Sequence, residues 1–254
     1  RVLMMLMMGG YVLFSSRYKD YHLRMAFPKA SFPMVSRILK IGIPTGFQFI
    51  FEVSAFSTAA IMMGWIGVNA LAGHQIALNL ASISYMMATG LSTAGMIRVS
   101  NQIGKGNLKG MREAGMVVFG MVIAFMFVCA VLFFALRFFL PTLYIDDPEV
   151  VALSASLLII AGFFQLSDGV QVVGLGVLRG LEDVKVPTLV TLMAYWVLGL
   201  PLGYVMAFEF GWGEKGVWIG LLTGLTITAV MLFYRFHQLS KKKIKQQSIQ
   251  ITHD

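Results

Sequence analysis

Charged side chains are scarce in this sequence. Asp, Glu, Lys and Arg make up only 13% of its 254 residues, whereas soluble domains carry about a quarter of such residues. Hydrophobic residues account for 57%, and the mean hydropathy is +0.77. This composition excludes an ordinary soluble domain and predicts an integral membrane protein.

Cysteine and nucleotide-binding motifs are also nearly absent. The single cysteine, Cys129, lies in an apolar run and cannot form an internal disulfide. The Gly-Lys-Gly segment at 104–106 has neither the spacing nor the Ser or Thr of a phosphate-binding loop. The four histidines are scattered and form no metal-binding pattern. We therefore expect no bound cofactor, no enzymatic activity and no ATP-driven pump.

Long apolar runs dominate the rest of the chain. Six runs are each long enough to cross a bilayer as a helix, and alternation of period two, typical of outer-membrane barrels, is absent. The six predicted spans are Ile41–Ile66, Leu71–Ile97, Gly115–Leu136, Val150–Leu178, Val186–Phe208 and Gly216–Tyr234. The shorter apolar run within residues 1–16 is expected to be the end of a truncated transmembrane helix. The predicted fold is an all-α, polytopic transmembrane bundle with one six-helix lobe.

The positions of Lys and Arg predict the orientation. Most of them fall in connections on one side of the membrane, and few fall on the other side. The positive-inside rule makes the basic side cytoplasmic. We therefore predict a cytoplasmic connection at 17–40, a membrane lobe at 41–238 and a basic cytoplasmic tail at 239–254. The predicted location is the inner (plasma) membrane. The net charge of +8 is a topology signal rather than a nucleic-acid surface.

Two lone acids lie deep in these spans. Glu52 follows Lys40 by twelve residues, and Asp168 precedes Arg179 by eleven. At 1.5 Å per helical residue, both acids lie ~17–18 Å from the basic side, close to the bilayer midplane. A carboxylate is costly in hydrocarbon, so a functional role is expected. Transporters commonly place their substrate and coupling-ion sites at this depth.

Polar residues accompany both acids at helical spacing. Gln48 shares a helix face with Glu52, and Gln165 and Gln171 share a face with Asp168. On the second span, Gln75, Asn79 and Ser82 form a third polar stripe. We expect a shared cavity in which Glu52 and Asp168 hold Na⁺ or H⁺ in competition with a cationic substrate. For the amides and hydroxyls, interhelical hydrogen bonding is an equally good interpretation.

Several short segments together carry a family resemblance. They are Gly42-Ile43-Pro44 followed by Glu52, Ala72-Gly73-His74-Gln75-Ile76, Arg98-Val99-Ser100-Asn101-Gln102-Ile103-Gly104, Asp168-Gly169-Val170-Gln171, Leu178-Arg179-Gly180, and Tyr195-Trp196-Val197-Leu198-Gly199-Leu200-Pro201. In their order and placement, the chain resembles the C-terminal half of a multidrug and toxic compound extrusion (MATE) transporter of the NorM branch.

The resemblance implies a transporter of twelve helices in two lobes around a central cleft. Such transporters export organic cations in exchange for Na⁺ or H⁺. Glu52 and Asp168 match acidic positions that the family uses for cation binding. Phe164 stands where NorM-like relatives often carry Tyr, and Phe164 and Tyr195 are candidates for an aromatic lining. The implied partners are organic cations, membrane lipid and an N-terminal six-helix lobe, with no nucleic acid.

Three other functions remain open. A lipid-linked oligosaccharide flippase has a related architecture, but the absence of Lys or Arg in the middle of the spans disfavours it. An intramembrane aspartyl protease would also use two acids in the membrane, but one of this pair is Glu and a Gly-x-Gly-Asp segment is absent. A channel would need a selectivity filter, and none is recognisable.

Overall fold

The protein is built from long helices joined by short connections. The computed structural model describes residues 2–14 and 31–253, with side chains for 2–11 and 31–247, and these residues contain no strand. The helices are α1 (Val2–Phe14), α2 (Phe32–Ile66), α3 (Val68–Gly104), α4 (Leu108–Leu136), α5 (Pro148–Gly180), α6 (Lys185–Leu192), α7 (Leu200–Tyr204) and α8 (Gly213–His253). The predicted all-α bundle is confirmed.

The chain divides into two units, residues 1–40 and 41–254. In the first unit, α1 is an apolar helix of 13 residues whose described side chains are mostly exposed. The predicted connection at 17–40 lies largely outside the described residues. The domain boundaries drawn from the sequence therefore stay predictions.

Within the described part of the chain, six helical segments are long and apolar enough to cross a membrane. They are α2, α3, α4, α5, the stretch Lys185–Glu209 (hereafter the fifth span) and α8 as far as Gln247. The chain is a multi-pass membrane protein. Several helices continue past the predicted apolar runs: α3 ends at Gly104 rather than Ile97, and α8 at His253 rather than Tyr234. The added turns are rich in polar residues and continue each helix past its apolar run.

The fifth span is not a regular α-helix. A π-helical stretch, Met193–Gly199, separates α6 from α7, and a second, Val205–Glu209, follows α7. Pro201 is the second residue of the regular segment between them. Proline has no backbone N–H and clashes with the preceding turn, so it disturbs the α-helical pattern around it. A proline within the span indicates a disturbed helix from the sequence alone, whereas the two π-helical stretches are visible only in the structure.

A seam of small residues joins the fifth span to α8. A Cβ atom on Gly220 would lie 2.4 Å from the Cα of Gly203, and one on Gly224 would lie 2.7 Å from the carbonyl oxygen of Ala194. Glycine at these positions lets the two backbones approach closely. Gly216, Gly220 and Gly224, four residues apart on α8, form this close-packing face.

α5 is the central helix of the second unit. It packs against α3, α4 and α8, and most of its residues from Ala161 to Gly180 are buried. Asp168 lies midway along this buried stretch. A polar side chain on such a helix must therefore bond to a neighbour or open into a cavity.

Candidate functional site

Glu52 and Asp168 line one cavity. The cavity has a volume of about 410 Å³ and is bounded by α2, α3 and α5. Glu52 projects into it from α2 and Asp168 from α5, and only 7% and 5% of their surfaces are exposed. None of the described residues that line this cavity is Lys or Arg. The cavity is therefore an acidic chamber within the apolar part of the bundle.

Glu52 is held by two amide side chains. Gln171 donates from Nε2 to Oε1 of Glu52 over 2.8 Å, and Gln48 donates from Nε2 to Oε2 over 3.4 Å. Hydrogen bonds to an ionised acceptor are stronger than neutral ones. Each oxygen of the Glu52 carboxylate therefore has one amide donor. The two hydrogen bonds fix the orientation of the carboxylate.

Asp168 differs from Glu52 in its bonding. Among residues 31–247, no hydrogen bond to its carboxylate is found, although the side chain lines the chamber. A buried carboxylate without a donor is costly unless a proton or a cation accompanies it. Asp168 is therefore the chamber acid whose carboxylate has no protein donor among these residues.

Four aromatic side chains form much of the chamber wall: Phe49, Phe56, Tyr85 and Phe164. The ring of Phe164 contacts those of Phe56 and Trp218, at centroid distances of 6.0 and 5.7 Å. Phe164 presents an aromatic face where a tyrosine would also offer an oxygen. Tyr85 on α3 is half-buried and offers a phenol hydroxyl at the same chamber.

A second cavity, of about 70 Å³, adjoins the chamber. Phe49, Glu52 and Tyr85 line both cavities, and the smaller one extends along α2 and α5 to Gln48 and Arg179. Arg179 Nη2 donates to Gln48 Oε1 over 3.5 Å, and its guanidinium lies 5.8 Å from the centre of the Phe49 ring. Sequence reasoning used Arg179 to mark the end of a span and as part of the family resemblance, but its side chain reaches toward the acidic site.

The structure brings some of the predicted polar residues together and leaves others apart. Gln75 lines the chamber, whereas Asn79 is exposed and donates from Nδ2 to the Gln75 carbonyl of its own helix over 3.0 Å. Gln165 is fully buried and accepts from Ser84 Oγ over 2.7 Å, and its Nε2 has no hydrogen-bond partner among the described residues. Gln165 therefore joins α5 to α3, as the hydrogen-bonding interpretation expected.

Tyr195 lies behind Glu52. Its ring is fully buried, and its hydroxyl donates to Gln171 Oε1 over 3.0 Å. It is not one of the described residues that line the chamber. Tyr195 acts on the site through Gln171, whose amide it orients, whereas Phe164 lines the chamber directly.

Sequence reasoning missed Phe49, Phe56 and Tyr85. Phe49 and Phe56 lie three residues before and four residues after Glu52, and Tyr85 lies three residues after Ser82. These are same-face spacings on a helix. The spacing rule that selected the polar stripes would have found these residues, but 20 Phe and 8 Tyr in the chain hide them among packing residues.

The fold and the site define a polytopic helical membrane protein with two acids in an intramembrane chamber. Residues 44–205 match the MatE family model, and the chain belongs to this family. The resemblance to NorM-type MATE transporters is confirmed, because curated NorM proteins are among its relatives.

Two of these relatives show how much of the length is matched. The chain is 38% identical over 241 residues to a probable multidrug resistance protein NorM of Agrobacterium fabrum, with 93% of this chain and 52% of that protein covered. For the protein of the same name in Brucella suis, the identity is 37% over 227 residues, with 87% and 48% covered. The chain spans about half the length of these relatives.

Solved structures share the fold. The crystal structure of the eukaryotic MATE transporter AtDTX14 matches with a TM-score of 0.81 at 24% identity, covering 94% of this chain and 54% of that one. A MOP superfamily transporter from Pyrococcus furiosus matches with a TM-score of 0.71 at 17% identity, covering 78% and 44%. At these identities the likeness establishes the fold alone.

Proposed function

We propose that this chain forms one lobe of a secondary transporter that exports organic cations in exchange for Na⁺ or H⁺. The observation that carries the proposal is that Glu52 and Asp168, from two different helices, line one chamber with no Lys or Arg among its described lining residues. Membership of the MatE family supports transport, and the multidrug resistance names of its relatives support a range of substrates.

The size and chemistry of the chamber suit an organic cation. Its volume of about 410 Å³ lies within the range of ~300–1,000 Å³ that is usual for small-molecule sites. The carboxylates supply negative charge, and aromatic faces such as those of Phe56 and Phe164 attract cations through their ring quadrupoles. A planar, positively charged compound would satisfy both features.

The same acids explain an exchange. Carboxylates in a low-dielectric chamber are costly without a positive partner. A proton or Na⁺ can neutralise them, and so can the charged group of a substrate. Because the chamber cannot hold the coupling ion and the organic cation at the same time, binding of the ion displaces the organic cation. Binding of the organic cation displaces the ion in the same way. This competition is the physical basis of antiport.

Oxygen ligands for Na⁺ are available at the chamber. Glu52 and Asp168 supply carboxylate oxygens, and Tyr85 supplies a phenol oxygen on the facing helix α3. Phe164 supplies no oxygen, so Tyr85 takes the place of the hydroxyl that a tyrosine at position 164 would offer. In a proton-coupled exchange, protonation of Glu52 or Asp168 would neutralise the acid, and no further oxygen ligands would be needed.

The charge of the chamber matters more to this proposal than the fold does. The Pyrococcus furiosus transporter of the same fold is described as having a binding pocket of reverse polarity. A shared fold therefore does not determine the sign of the charge in the pocket. In this chain the two acids determine it.

The proposed arrangement places the chain in the inner (plasma) membrane. The basic connections and the C-terminus face the cytoplasm, as the positive-inside rule predicts. A second six-helix lobe completes the cleft, because the relatives are about twice as long as this chain.

A lipid-linked oligosaccharide flippase is the second candidate. The cation Arg179 favours it, since its side chain lines the small cavity beside Glu52. Phosphate groups would need several cations in the main chamber, and the described lining residues of that chamber include two acids instead. The cation exporter therefore fits the site better.

The test is gradient-driven uptake by the complete transporter in proteoliposomes, with a fluorescent organic cation as substrate. Glu52→Gln and Asp168→Asn remove the charges with little change of shape, and we expect each to reduce ion-driven transport at least about tenfold. The exposed loop acid Asp146 provides the matched control, Asp146→Asn. Normal transport by both chamber variants, or a requirement for ATP instead of an ion gradient, would overturn the proposal.

A further inference from the structure

Basic side chains from two helices meet where α4 begins and α8 leaves the apolar layer. Arg112 Nη2 lies 3.4 Å from His237 Nδ1, and both residues are half-buried. Three turns further along α8, Gln247 Nε2 donates to the carbonyl of Gly106 over 2.8 Å. The polar extension of α8 is therefore held against the connection between α3 and α4.

This junction carries a strong positive charge. We define the basic cluster by six residues: Lys105, Lys109, Arg112, His237, Lys241 and Lys245. Among the described side chains, none of the six is paired with a carboxylate. The segment 216–253 contains no acid, and Glu113 is the only acid between residues 98 and 145. Arg235 is separate from the cluster because it is bonded to Asp183.

One face of α8 leads from the apolar layer into this cluster. Val230, Tyr234, His237 and Lys241 lie at offsets of 0, 4, 7 and 11, which places them on one side of the helix. Val230 is 62% exposed and Tyr234 59% exposed. The stripe thus changes from aliphatic to aromatic to basic, which is the order of a lipid's acyl chain, interface and headgroup.

We propose that the basic cluster binds the phosphate headgroup of an anionic membrane lipid, with an acyl chain lying along Val230 and Tyr234. The positive-inside rule accounts for an excess of Lys and Arg near the helix ends, but not for their convergence on a packed junction of two helices. Like charges brought together in this way repel each other, and a phosphate between them removes the repulsion. Basic pockets between transmembrane helices on the cytoplasmic side bind such headgroups.

The test is lipid binding to the purified protein in a neutral detergent, measured by native mass spectrometry. The probes are cardiolipin, phosphatidylglycerol and phosphatidylcholine. The variant Lys109→Gln with Lys241→Gln changes two exposed side chains, so folding should be retained, and an unchanged melting temperature would verify this. We expect retention of the two anionic lipids to fall at least about tenfold, since each basic residue near a membrane surface contributes a severalfold effect.

A charge-matched control distinguishes lipid binding at the basic cluster from a general attraction of anionic lipids to a positively charged protein. Arg98→Gln with Lys185→Gln removes the same charge from exposed positions on the same side of the membrane, outside the basic cluster. The control should retain wild-type binding. Equal losses in both double variants, or equal binding of phosphatidylcholine by the wild type, would overturn the proposal. Displacement of the lipid by glycerol 3-phosphate at similar concentration would also overturn it, because the acyl chain would then contribute nothing.

Discussion

Gln171 on α5 donates from Nε2 to Glu52 Oε1 on α2 over 2.8 Å, while its own Oε1 accepts from the Tyr195 hydroxyl over 3.0 Å. An ionised carboxylate only accepts, so the amide nitrogen faces Glu52, and the Tyr195 hydroxyl holds the amide in that rotation by donating to its oxygen. All three side chains are buried. Tyr195 therefore orients the donor that holds the acid of α2.

Replacement of Gln171 by Leu should impair both stability and transport. The change removes a donor from a buried carboxylate, which costs about 1.5–3 kcal/mol for hydrogen bonds to charged groups. Thermal unfolding in detergent should show a lower melting temperature, and ion-driven uptake should be slower. Tyr195→Phe leaves the amide in place but frees it to turn, so its effects should have the same sign and be smaller. A larger effect of Tyr195→Phe than of Gln171→Leu would contradict this order.

Removal of the Tyr85 hydroxyl should weaken Na⁺ coupling specifically. Tyr85→Phe keeps the ring in the chamber wall but deletes an oxygen close to both cavities. We expect the half-saturating Na⁺ concentration for transport to rise several-fold while proton-driven transport is unchanged. Tyr144→Phe, at an exposed position between α4 and α5, is the matched control. An unchanged Na⁺ dependence would show that Tyr85 is only part of the wall.

Alanine at Gly220 should destabilise the bundle. Its Cβ would lie 2.4 Å from backbone atoms of Gly203, and a backbone cannot move aside as a side chain can. Overpacking of this kind costs about 1–3 kcal/mol. Gly120→Ala on α4 is the control, because nothing lies within 4 Å of its added Cβ. Melting temperatures should fall for Gly220→Ala and stay level or rise for Gly120→Ala, and similar values for both would refute the close seam.

The pairing of Arg235 with Asp183 should contribute modestly to stability. Arg235 Nη2 donates to Asp183 Oδ1 over 3.1 Å and Nε donates to Oδ2, a two-point contact between α8 and the connection after α5. The side chains are 32% and 18% exposed, so water and salt screen the pair. A double-mutant cycle with Arg235→Gln and Asp183→Asn should give a coupling of about 1 kcal/mol or less. The coupling should shrink further in high salt, and an increase with salt would be inconsistent with an ion pair.

The spans and the depth of the acids followed from the sequence because both depend on one-dimensional quantities. The length of an apolar run and a fixed rise per residue were enough to place Glu52 and Asp168 at one level. Both acids do line one chamber, although binding of an ion there stays a prediction.

Rotation of each helix about its own axis did not follow from the sequence. Helical spacing places Asn79 near Gln75, but only packing decides which of them reaches the chamber. The contacts of long side chains could not be predicted either. Arg179 follows the end of the predicted span in the sequence, yet its guanidinium extends back to Gln48. Spacing describes neighbours on one helix, whereas contacts between helices need the three-dimensional arrangement.

The attachment of α2 to the rest of its unit has a consequence for motion. Four of its bonds come from single side chains of other segments: Gln171 to Glu52, Arg179 to Gln48, Thr188 to the carbonyl of Pro44, and Trp196 to the carbonyl of Phe51. The fifth span and α8, by contrast, are joined backbone to backbone along their glycines. Sliding that seam would disrupt a continuous interdigitated contact, whereas tilting α2 requires only that a few polar links exchange partners. We therefore expect α2, which carries Glu52, to be the pivoting element of the lobe, and the helix pair at the seam to be its rigid frame.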